Sequence, residues 1–156
     1  MKKFIIFLFI LISFVLLGQK IALVENNVII FKETNIEKLT VENLFEVLSS
    51  FENSLVPKNI LNAYYFVDTA LILDFNTSLI QNFTIEEEFL FLLQVLYTLF
   101  ENIHGIDRIF ILENGKQTNL LVKYVDIYFS FPKELYKIPI EGGNLWLKNL
   151  TCKIGF

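Results

Sequence analysis

The chain has 156 residues, of which 54% are hydrophobic, and a formal net charge of −4. An acidic balance argues against nucleic acid, which needs a basic footprint, and against a polybasic patch for anionic lipid. A single histidine (His104) and a single cysteine (Cys152) exclude a two-histidine metal site and an intramolecular disulfide.

Lys2 and Lys3 form a basic head, and residues 4–17 are an apolar run broken only by Ser13. This is the form of an export signal. It falls short of the roughly 20 apolar residues of an ordinary transmembrane helix. Residues 1–20 read as a signal peptide or as an N-terminal membrane anchor, and both remain open. Either way the rest is expected outside the cytoplasm, in the periplasm or on the outer face of the cytoplasmic membrane. Beyond the apolar run the chain carries 11 basic against 17 acidic residues and has the size of one domain.

Residues 21–24 and 28–31 are two β-prone runs around Glu25-Asn26-Asn27, and asparagine tolerates the positive φ of a hairpin turn. A helix follows, with Thr40 as N-cap and Val41, Leu44, Phe45, Leu48 and Phe51 at helical spacing. Pro57 closes the connection to a second hairpin, residues 61–67 and 71–75, with Asp68-Thr69 near its turn.

The longest helix comes next. Thr84 and Glu87 have the spacing of a capping box, and Glu86, Glu87 and Glu88 sit at the positive end of the helix dipole. Phe89, Leu92, Leu93, Leu96, Phe100 and Ile103 form one stripe, and Gly105 is placed to end the helix. Leu90, Phe91, Val95 and Tyr97 lie off that stripe, so the helix is apolar nearly all round. These four are the candidate interaction face, unless the tail around Trp146 covers them. Two further strands are predicted, at 108–112 and 120–128, separated by an Asn-Gly turn at Asn114-Gly115. Beyond Pro132 the pattern weakens.

The predicted order is ββ-α-ββ-α-ββ. The expected fold is α+β, with two helices packed on one face of a mixed sheet.

At this level the chain resembles the GerMN domain of bacterial envelope and sporulation or germination proteins. The resemblance runs from Ile21 to Pro132. It is carried by Thr40-Val41-Glu42, Leu73-Asp74-Phe75-Asn76, the Glu-led helix from Glu86 to Thr98, the strand and turn from Ile109 to Gly115, and Val125-Asp126-Ile127 with Pro132 beyond. Lys123-Tyr124 stands where Gly-His is common, and Ser130-Phe131 replaces the usual arginine before the proline. The resemblance implies a fold similar to ring-building motif domains and a non-catalytic binding or assembly role. Residues 21–132 would be the domain and 133–156 a C-terminal extension.

Candidate chemistry is sparse. His104 falls in the last turn of the long helix, where a donor suits the exposed carbonyls. Cys152 lies far from it in sequence, and nothing supplies a third group to orient such a pair. Asp74 and Asp126 are the one carboxylate pair that acid–base work could use, against the alternative that each holds local backbone groups. No catalytic, cofactor-binding or metal-binding residue is assigned, and no cofactor is expected. The first expectation is an exported envelope module that contacts protein or cell wall. The alternatives are a small secreted hydrolase using Asp74 and Asp126, and a structural subunit that self-associates.

Overall fold

The structure, a computed structural model, describes residues 18–136. The apolar run 4–17 and the tail 137–156, with Trp146 and Cys152, lie outside the described residues.

Strands β1 (Gln19–Glu25) and β2 (Val28–Thr34) form an antiparallel hairpin. Asn26 and Asn27 both adopt positive φ, 50° and 61°. A two-residue turn with positive φ at both positions matches the twist of its flanking strands. Helix α1 (Val41–Ser49) starts at Thr40, whose hydroxyl accepts from Asn43 N at 3.2 Å. It buries Val41, Leu44, Phe45 and Leu48. Strands β3 (Leu61–Val67) and β4 (Ala70–Phe75) form the second hairpin, turning at Asp68 with φ 52°.

A 3-10 turn, Thr77–Ile80, leads to helix α2 (Ile85–Asn102). The capping box forms: Glu87 N donates to the Thr84 hydroxyl at 3.2 Å, and Thr84 N donates to the Glu87 carboxylate at 2.8 Å. Gly105, at φ 84°, turns the chain out of the helix. Strand β5 (Arg108–Glu113) then lies parallel to β4, and β6 (Phe131–Pro132) lies antiparallel to β5. Parallel neighbours need a crossover connection, and α2 supplies it.

The expected α+β fold with two helices is present, but the strands form two sheets. One is β1-β2 alone; the other has the order β3-β4-β5-β6. In the four-stranded sheet Leu71, Leu73 and Phe75 of β4 and Ile109 and Ile111 of β5 are buried on one face. Both helices meet that face. The Phe75 ring lies 5.9 Å from Phe45 of α1 and 5.6 Å from Phe91 of α2, edge-on in each case.

Two expectations are corrected. Residues 120–128 are not a strand; they form a compact loop closed by Leu121 N to Val125 O and Ile127 N to Asn119 O, both 2.9 Å. And the off-stripe residues of α2 are not a surface. Phe91 and Val95 are fully buried and Leu90 is 4% exposed, while Tyr97 is half-buried with its ring edge-on to Phe31 and Tyr136. Phe91 packs against Phe75 and Phe83, and the hairpin β1-β2 packs along another side of α2, with Phe31 against Tyr97.

Candidate interaction surfaces

Glu88 is the most unusual side chain in the domain. It is fully buried at the first turn of α2. Its carboxylate accepts from four consecutive backbone N–H groups: Val122 at 3.2 Å, Lys123 at 3.3 Å, Tyr124 at 3.1 Å and Val125 at 2.9 Å. Successive N–H groups in an extended strand point in opposite directions, so four of them cannot converge on one point. A concave run of N–H groups is an anion-binding nest, and here the anion belongs to the protein. Glu88 therefore takes the donors that a strand at 120–128 would have used in a ladder. The sequence held one usable signal: Glu88 stands four residues before Leu92, on the buried stripe.

The loop held in this way presents apolar side chains outward. Leu120 is 41% exposed, Tyr124 49%, Tyr128 48% and Phe129 72%. The rings of Tyr128 and Phe129 meet edge-on at 5.1 Å. Lys123 ties the loop to the chain before α2 by donating to Gln81 O at 2.8 Å.

A second polar device holds the other side of α2. Gln94, Thr98 and Asn102 are buried and recur one turn apart. Thr98 Oγ1 accepts from Ala22 N at 2.9 Å, and Asn102 Nδ2 donates to Lys20 O at 2.6 Å. Gln94 accepts from Leu55 N at 2.9 Å and donates to Ser54 Oγ at 2.8 Å. Val24 N donates to Asn53 O. The edge of β1 that faces away from β2 is thus satisfied by side chains of α2 and by the loop after α1. This ridge was not anticipated, because its partners are 39 to 82 residues away.

The two aspartates do different things. Asp74 Oδ1 accepts from Gly115 N at 2.6 Å and so fastens the turn after β5 to β4. Asp126 Oδ1 accepts from Tyr128 N at 2.9 Å inside the loop. Among the described residues no hydrogen bond joins them. Beside Asp74, Thr77 donates to the Glu113 carboxylate at 2.6 Å and accepts from Asn114 Nδ2 at 3.1 Å. That cluster closes the ends of β4 and β5.

Two grooves remain. One, of about 460 Å³, lies between α1 and the entry to β3, with Phe45 and Ile60 among its walls together with Glu42, Glu46 and Lys58. Glu42 is held below the usual carboxylate range by a backbone hydrogen bond and by the hydroxyl of Tyr64, whose own value rises through the same contact. The other, of about 310 Å³, is lined by Leu39, Tyr64, Phe66, Asn102, Ile103 and His104. His104 is exposed just beyond the helix end.

The first GerMN domain of the sporulation protein GerM from Bacillus subtilis matches this structure with a TM-score of 0.60 at 17% identity, over 71% of this chain and 92% of that one. This domain has a GerMN-like fold. The tandem GerMN domains of the same Bacillus subtilis protein match with a TM-score of 0.54 at 17% identity, over 71% of this chain and 44% of that chain. The present chain thus spans less than half of the tandem pair. No family model and no curated protein sequence matches the chain. Lys123-Tyr124 belongs to the nest around Glu88.

Proposed function

We propose that the chain is an exported, non-catalytic binding or assembly module of the bacterial cell envelope. The observation that carries this reading is the loop at 120–128. A buried carboxylate holds it from beneath, and Tyr124, Tyr128 and Phe129 stand outward from it. A rigid scaffold that presents exposed aromatics is suited to recognition. The fold shared with a domain of a sporulation protein and the basic-apolar N-terminus support a place in the envelope. The separate backbone attachments of Asp74 and Asp126 speak for structural carboxylates rather than an acid–base pair.

In-cell photocrosslinking from position 124, followed by identification of the captured species, tests the reading. Capture of a defined envelope protein or cell-wall fragment, lost when Phe129 is replaced by Ser, is the expected result. Turnover of a cell-wall or peptide substrate, abolished by Asp74→Asn or Asp126→Asn, overturns it in favour of the hydrolase.

A further inference from the structure

The chain enters the described domain at one pole. Gly18 lies against Thr34, and Lys20 O is bound by Asn102 at the C-terminal end of α2. Asn102 is also a wall of the 310 Å³ groove, with Leu39, Tyr64, Phe66, Ile103 and His104. The β3–β4 turn belongs to the same pole, because Thr69 O accepts from Asp107 N just before β5. Tyr65, Phe66 and Val67, the last residues of β3, are 55%, 53% and 51% exposed. Neighbouring residues of a strand point to opposite faces, so this tip projects from the body on both faces. β3 is also an outer strand of its sheet.

The connection to the apolar run is very short. Residues 4–17 end one residue before Gly18, and β1 begins at Gln19. Two extended residues span at most about 7 Å. A 14-residue run covers about 21 Å even as a full helix, less than the roughly 30 Å of a bilayer core. A short span draws its flanking residues toward the headgroups. With no spacer available, the pole from which the run departs is brought against the lipid.

We propose that this pole, made of Leu39, Tyr65, Phe66 and Val67 around the groove at His104, is a membrane-facing surface that rests in the bilayer interface. Tyrosine and exposed apolar side chains suit that layer. Charges of both signs flank these residues along the chain, with Glu37 and Lys38 before Leu39 and Asp68 after Val67, and Asp107 pairs with Arg108, so contact is apolar rather than ionic. The loop on Glu88 then faces away. Glu88 and Asn102 are 14 residues apart on α2, or about 21 Å along its axis. One domain would thus grip the membrane at one pole and offer its aromatic loop at the other. The inference rests on the N-terminal run being retained.

The test uses the full chain in phosphatidylcholine vesicles, with Cys152→Ser as background and a spin label at Val67→Cys or Tyr124→Cys. Flotation with the vesicles reports the retained run; relaxation of the label by oxygen and by a polar nickel complex reports the surface. The expected result is flotation of both variants, with an oxygen-to-nickel accessibility ratio higher at position 67 than at 124. Flotation with equal ratios overturns the membrane-facing pole while leaving the anchor in place. Protection of position 67 from both reagents, with spin–spin broadening, assigns the pole to a second copy and also overturns it. Failure to float removes the anchor and the inference together.

Discussion

Glu88 reaches Val125 across 37 residues of sequence, its carboxylate accepting the Val125 N–H at 2.9 Å. The same carboxylate gathers the three preceding N–H groups, so one side chain of α2 shapes the loop that carries Tyr124, Tyr128 and Phe129. Four predictions follow from this and related contacts.

Glu88→Gln keeps the size of the side chain but removes the charge and turns an amide N–H₂ toward backbone donors. Hydrogen bonds to charged groups contribute about 1.5–3 kcal/mol each, and a loss on that scale is expected in chemical denaturation. Amide exchange at residues 122–125 should rise well above that of β4. Unchanged exchange there would mean that the loop holds its shape without Glu88.

Thr98→Val removes the acceptor of the buried Ala22 N–H at nearly constant shape. A buried donor without a partner costs about 1–3 kcal/mol. Thr98→Ser retains the hydroxyl and should lose less. Equal stability of the two variants would show that the ridge of α2 contributes packing alone.

Leu90→Lys combined with Phe91→Glu places two charges where 4% and 0% of the side chains are exposed. Burying unpaired charges is strongly unfavourable, and the total stability of a domain is only about 5–15 kcal/mol. The double variant should show no cooperative thermal transition by circular dichroism. A folded protein with merely weakened association would restore this face as a surface.

Tyr136 stacks on Phe100 at 5.7 Å and meets Tyr97 at 5.8 Å. Burial, and secondarily Tyr97, push its phenol up to about 12 from 10.0. The unfolded chain therefore loses this proton first as pH rises. Stability from this group is complete below pH 10 and declines as pH climbs from 10 toward 12, by roughly 2–3 kcal/mol in all. Tyr136→Phe keeps the ring and should flatten this part of the alkaline melting profile. An unaltered profile would place the sensitivity elsewhere.

Much of the local architecture was legible in the sequence. Thr40 and the pair Thr84-Glu87 mark helix starts because capping joins residues three apart. Asn26-Asn27, Asp68 and Asn114-Gly115 mark turns because their backbones adopt positive φ. The helical spacing of Val41, Leu44, Phe45 and Leu48 predicted the face that α1 buries.

What the sequence by itself determined is therefore both hairpins, both helices and strand β5, with most of their ends, since caps, turns and periodicity act within a few residues. Tertiary structure alone decided how the strands divide into two sheets, that residues 120–128 wrap a carboxylate, and that Leu90, Phe91 and Val95 face the interior. The β-prone residues at 120–128 suit a strand, but the Glu88 carboxylate competes for the same N–H donors and takes them. Likewise an all-round apolar helix is consistent with a partner surface or with enclosure. The position of β1, fastened to Thr98 and Asn102 from 76 and 82 residues away, together with Phe75 and Phe83 against Phe91, selects enclosure.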